Sequence, residues 1–176
     1  CSEDGINFEE LECPDLLCGG GFPQDVGGGV MLPVNNISIR ALASYDDKLM
    51  IGTLNNLGGE IWSYDGSSFA LEKKFGPQYP IVGELEPYDG KLYIGLGGAL
   101  TVDDNPNNDY LWYCDDGCNE GGDFMKVPDL PDIDPDSLFV IKLFVALDKM
   151  FVGTVNFENG FSFLSYDAGS DTWDVI

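Results

Sequence analysis

Histidine is absent from this chain, and arginine occurs once, at Arg40. Without imidazole no Ser-His or Cys-His nucleophile pair can be built, and haem or mixed Cys/His metal sites lose their usual ligand. Positive charge is scarce altogether: 8 Lys and Arg stand against 31 Asp and Glu, a formal net charge of -23. Such a chain repels nucleic-acid phosphates and anionic membrane surfaces, so no nucleic-acid partner is expected. No run reaches the roughly 20 apolar residues of a membrane helix. The best candidate, 138–147, is interrupted by Lys142 and reads as a buried strand, so no transmembrane segment is expected. Sustained helical periodicity with a capping box is missing too. The glycine runs at 19–21 and 27–29 lack the strand-to-helix setting of a phosphate-binding loop. The fold class read from the sequence is therefore all-β.

Against these absences stands a repetition. The passages 45–53 (YDDKLMIGT), 88–96 (YDGKLYIGL) and 147–154 (LDKMFVGT) say nearly the same thing. Each is followed by an aromatic or apolar run and an acidic turn: 61–66 (IWSYDG), 111–117 (LWYCDDG) and 163–169 (FLSYDAG). Taking the glycine after the apolar trio as origin, Gly52 to Gly95 is 43 residues and Gly95 to Gly153 is 58, the excess lying in one insertion. That period suits a four-stranded unit of roughly 40 to 50 residues. Asp-Asp and Asp-Gly between alternating apolar runs are hairpin signals, because two-residue turns favour residues that tolerate positive φ.

The phrases YDGKLYIG and IWSYDG resemble the blade signature of kelch-like and WD-repeat-like β-propellers, as found in many secreted bacterial and archaeal proteins. The likeness covers residues 37–176 and implies three four-stranded blades, at about 37–80, 81–137 and 138–176, behind an acidic, glycine-rich arm over 1–36. It speaks for fold, not function. The Gly-His and Trp-Asp pair of the WD repeat and the paired glycines of a strict kelch motif are missing. Three blades are fewer than the four to eight that close a propeller, so the ring is expected to be completed by other copies of the chain, by further sequence, or by partner subunits in a larger assembly. Residues 29–34 offer a strand for exchange between chains, with Pro33 restricting it to an edge. The segment 165–173 is similar to the Asp box of sialidase-type propellers, a folding turn that argues for architecture alone; one arginine cannot supply such enzymes' arginine cluster.

Five cysteines are present. Cys13 with Cys18 and Cys114 with Cys118 form two close pairs, which in an acidic secreted chain read as small disulfide loops. Crossed pairing and a four-thiolate metal site are the alternatives, although both spacings are looser than the usual zinc knuckle. Cys1, followed by Ser2, resembles the lipid-modified residue of a bacterial lipoprotein; an intermolecular disulfide or a trimmed start are the other readings. A secreted or cell-surface location follows, with a lipid anchor where Cys1 is modified.

The acidity has three readings: a solvated surface, carboxylates holding calcium, or attraction to a cationic partner. In the insertion of the second unit, Asp103, Asn105, Asn107 and Asp109 alternate, so a tight loop would aim their oxygens inward as calcium requires. The EF-hand pattern fails there, at Asn108 and Cys114, and an Asn/Asp turn bonded to its own backbone is the plainer alternative. Asp132, Asp134 and Asp136, interrupted by Pro131 and Pro135, read as a stiff polar linker. Calcium is the cofactor that this chain would take; no organic cofactor is expected.

Trp62 and Trp112, with Tyr64, Tyr113 and Trp173, could stack on sugar rings. Trp62 and Trp112 also recur at matching places in their units, as inter-blade core positions do. Asn36-Ile37-Ser38 is a glycosylation sequon. No catalytic residues can be assigned and the chain does not read as an enzyme. It reads as an adhesion, surface-layer or filament module, with a carbohydrate-binding lectin as the alternative and a carboxylate-dependent glycan hydrolase or lyase behind it.

Overall fold

Three two-residue turns set the backbone. Asp46 and Asp47, Asp89 and Gly90, and Leu147 and Asp148 all have positive φ, which matches the twist of a tight hairpin and joins each unit's first two strands without splaying them. The computed structural model describes residues 23–25, 31–33, 36–98, 110–115, 117–119, 122–128, 130, 139–156 and 160–176. Among these residues there are strands and no helix.

Strands β1 (Pro23–Asp25) and β2 (Met31–Pro33) pair with each other in a small antiparallel sheet. The other twelve strands run as three consecutive antiparallel meanders. The first unit comprises β3 (Ser38–Tyr45), β4 (Lys48–Leu54), β5 (Glu60–Tyr64) and β6 (Phe69–Lys74). The second has β7 (Ile81–Tyr88), β8 (Lys91–Gly97), β9 (Leu111–Cys114) and β10 (Met125–Lys126). The third has β11 (Phe139–Ala146), β12 (Lys149–Val155), β13 (Phe163–Asp167) and β14 (Thr172–Val175). Within each unit every strand pairs with the next.

The units are joined through single bridges, Leu54 to Ile81 and Gly97 to Phe139, giving one twelve-stranded antiparallel sheet that does not close on itself. β7 lies beside both β3 and β11, so the first strands of the units are neighbours. Each first strand carries a bulge at the same place: between Ile39 and Ala41, Val82 and Glu84, and Val140 and Lys142. A bulge bends its strand and sharpens the twist.

The core lies between the units. In the middle unit β8 is buried from Leu92 through Gly97, so both of its faces are covered, and its near-continuous apolar run LYIGLG follows from that. In the third unit β12 alternates, with Met150, Val152 and Thr154 buried and the intervening side chains partly exposed. The turns are closed locally: Asp65 accepts from the Ser67 hydroxyl and amide at 2.8 Å each and from the Ser68 amide. These donors, the Ser67 hydroxyl foremost, hold the Asp65 carboxyl well below the usual carboxylate range. A disulfide joins Cys114 to Cys118, with 5.4 Å between Cα atoms, and pins the end of β9 to the loop after it.

Candidate functional site

The joins between units share one device. A β-carbon on Gly52 of β4 would lie 2.7 Å from Val82 Cγ1 of β7, and one on Gly95 of β8 would lie 2.8 Å from Val140 Cγ1 of β11. Each glycine is thus a notch seating a valine from the next unit, and both valines are buried. Tyrosines reinforce the joins: the Tyr45 hydroxyl donates to the Gly90 carbonyl at 2.8 Å, and Tyr88 to the Asp148 carbonyl at 2.7 Å. In the second join Glu84 and Glu86 also accept from the backbone amides of Leu143 and Val145.

At the far side of the third unit the same notch is open. Among the described residues, the nearest atoms to a β-carbon on Gly153 would be 3.9 Å away, on Ile141 and Lys142 of its own unit. Around it Lys142, Phe144, Ala146, Leu147, Phe151 and Phe163 line an apolar groove of about 430 Å³. Phe144 is 56% exposed and Leu147 is 87% exposed. Leu147 is moreover held at φ 52°, a conformation that costs an ordinary side chain energy.

At the far side of the first unit, Ile39 occupies the position that Val82 and Val140 hold in theirs, immediately before the bulge. It is 53% exposed, and Leu42, the counterpart of buried Leu85 and Leu143, is 59% exposed. Deeper on this flank, Leu42, Ile51, Trp62 and Leu71 pair across the unit in one row, but Ile51 and Trp62 are already buried in a small cluster of their own with Phe69 and Leu71, so the exposed part of the flank is Ile39 and Leu42.

The tryptophans serve these structures. Trp62 is buried, and its Nε1 donates 2.9 Å to Glu60 Oε2. Glu60, also buried, accepts from Asn36 Nδ2 at 2.8 Å and from Lys74 Nζ at 2.6 Å. Thr53 in turn donates to Asn36 Oδ1. The Asn36 nitrogen to which a glycan would be attached is thus engaged inside this network. Trp112 is half-buried, edge-on to Phe75 at 5.4 Å, with the ammonium groups of Lys73 and Lys126 each 5.9 Å from its ring.

A second concavity, of about 480 Å³, opens where the second and third units meet, lined by Lys91, Tyr93, Tyr113, Tyr166, Asp171 and Trp173 among others. Trp173 stacks on Tyr166 at 4.7 Å, and the Tyr166 hydroxyl donates 2.8 Å to Asp171. Lys91 sits 4.7 Å from the Tyr113 ring centre. Burial, then the bond to the Asp171 carboxylate, pushes the Tyr166 phenol up to about 12; burial likewise raises that of Tyr93.

Of the other residues singled out in the sequence, Cys1, Cys13, Cys18, the loop residues Asp103, Asn105, Asn107 and Asp109, and Asp132, Asp134 and Asp136 lie outside the described residues. Among the described residues no group of three or more metal-ligating side chains occurs, and no helix is long and apolar enough to cross a membrane. Sequence reasoning used Gly153 to fix the repeat but missed the notch it forms, the groove around it and Ile39. Their signal was available: Ile39, Val82 and Val140 each stand 13 residues before their unit's glycine. No protein-family model matches the chain, and among curated proteins none is significantly similar to it.

Proposed function

We propose that the chain is a non-catalytic binding and assembly module, secreted or at the cell surface, built on three propeller-type blades whose end flanks are its working surfaces. The observation that carries this is the apolar groove at Phe144, Phe151 and Phe163, which exposes on the third unit the same flank that the first two units bury. Contiguous exposed apolar surface on an otherwise strongly acidic chain marks an association site. The single-bridge connections and the shared bulge favour radially arranged blades over a flat sheet. The Cys114–Cys118 disulfide favours an oxidising compartment. The test is light scattering on the wild-type chain and on Phe144→Glu. Wild type is expected to form a species heavier than one chain, and Phe144→Glu a single chain of unchanged strand content. Equal masses for the two overturn the reading.

Saccharide binding is a second reading, and the cleft favours it. Tyr113, Tyr166 and Trp173 offer aromatic faces beside Asp171 and Lys91, the combination that sugar hydroxyls and C–H faces require. Glycan binding that quenches Trp173 fluorescence and is lost in Tyr113→Ala would support it; no binding across a glycan array would remove it.

A further inference from the structure

We infer that the partner of the exposed third-unit flank is a second copy of this chain, docked head to tail with its Ile39 seated in the Gly153 notch. This rests on the reading of that flank as an association surface. Three notches, Gly52, Gly95 and Gly153, and three knobs, Ile39, Val82 and Val140, occur at the same register in the three units. Two joins inside the chain use two of each, and among the described residues one notch and one knob remain. They lie on opposite flanks, because the joins all run the same way: the notch face of one unit meets the knob face of the next. The leftover pair therefore cannot meet by mirror-like pairing of identical flanks. It meets when the first unit of one copy packs on the third unit of another.

Side-chain sizes fit that pairing. Val82 and Val140 are β-branched, as is Ile39, and Leu42 repeats Leu85 and Leu143 one turn of the pleat further on. On the notch side the tyrosine of the internal joins is replaced by Ala146, so the hydrogen bond to the neighbouring turn is missing at this join. Phe144 takes the place of Glu86 and Phe163 that of Leu111, so the join gains apolar surface where the second internal join has the Glu86 carboxylate. Two such joins between two copies close a ring of six units, within the four to eight that close propellers. A head-to-tail contact that closes gives a finite particle; one that does not gives a filament.

Two single variants test this in the full chain by light scattering in about 1 M NaCl, where the Debye length is ~3 Å and self-repulsion is screened. Ile39→Asp removes the knob and keeps the notch; Gly153→Trp fills the notch and keeps the knob. Wild type is expected at twice the chain mass and each variant alone at the chain mass. Mixed in equal amounts, the two variants are expected to return a species of twice the chain mass, since one intact knob and one intact notch then face each other. Ile39 is exposed, and a side chain on Gly153 meets only ordinary contacts at 3.9 Å among the described residues, so both variants should fold; far-ultraviolet circular dichroism checks this, and Ile39→Ser with Gly153→Leu replaces any that does not. If Phe144→Glu is monomeric while Ile39→Asp and Gly153→Trp remain dimeric, the flank still associates but the head-to-tail pairing is wrong. A mixture that stays monomeric, or a wild type that grows into filaments, likewise overturns the closed pair. A monomeric wild type overturns both this pairing and the function on which it rests.

Discussion

At Gly95 a single methyl group is too much. Its β-carbon would lie 2.8 Å from Val140 Cγ1 and 3.0 Å from Glu84 Cβ, both packed side-chain atoms near the backbone with little freedom to retreat. Gly95→Ala should therefore destabilise the chain by about 1–3 kcal/mol, the usual cost of overpacking a core. Gly153→Ala meets only ordinary contacts at 3.9 Å. In a strand interior it should be neutral or stabilising by up to about 1 kcal/mol, since glycine loses the most backbone entropy on folding. Urea unfolding of the two variants at equal m-values gives the comparison, and equal losses would mean that the two notches do not differ. Leu147 shows the opposite balance: a large apolar side chain in a left-handed turn position that asparagine tolerates better. Leu147→Asn should raise the stability of the single chain by about 1 kcal/mol while weakening association, a trade expected of a residue kept for contact rather than for folding. A drop in single-chain stability would show that Leu147 belongs to the core.

Among the elements, the hairpins were legible because their chemistry is local. A two-residue turn demands positive φ, and Asp46-Asp47 and Asp89-Gly90 announce it. The all-β class followed from the same alternation, and the Cys114–Cys118 loop from its short spacing. What alternation could not reveal is which face of a strand meets which neighbour. Trp62 and Trp112 hold equivalent places in their units, yet one closes over Glu60 on the outward flank and the other packs against Phe75 across a join. Glu60 carried no mark in so acidic a chain until Asn36, ahead of β3, and Lys74, directly opposite it on β6, converged on it. The cleft was hidden for the same reason, since Tyr93 and Tyr166 come from different units. Their phenols make a pH prediction. Burial favours the neutral form, so the folded-state pKa of Tyr166 lies near 12 against an ordinary value of 10.0. Stability from this group is fully present below about pH 10 and is lost as the pH rises through about 12. Thermal midpoints should fall over that window in step with phenolate absorbance, and Tyr166→Phe should flatten the fall. An identical alkaline profile in Tyr166→Phe would place the hydroxyl in solvent.

For the whole molecule the question is whether an apolar join can hold together chains that each carry a net charge of -23. At the proposed join six side chains would meet: Ile39 and Leu42 from one copy, Phe144, Leu147, Phe151 and Phe163 from the other. Most are about half exposed beforehand, so each contributes about 1 kcal/mol on burial, half of the usual 1.5–3 kcal/mol for a fully exposed one. One join then yields roughly 6 kcal/mol against a rigid-body cost of about 4–15 kcal/mol, which is marginal. A closed pair has two joins and loses rigid-body freedom once, so closure is favoured over an open chain of the same units. Charge sets the conditions. Among the described residues Lys142 is the only charged one lining the groove, so on this face the proposed contact is apolar rather than built on ion pairs. The repulsion lies over the rest of the surface and reaches about 30 Å at 0.01 M salt but only ~3 Å at 1 M. The dissociation constant should consequently fall as NaCl is raised between these limits, measured by sedimentation velocity, with Phe144→Glu monomeric throughout. A join held by attraction between opposite charges would loosen over the same range, so the sign of the salt dependence alone decides between an apolar and an electrostatic contact.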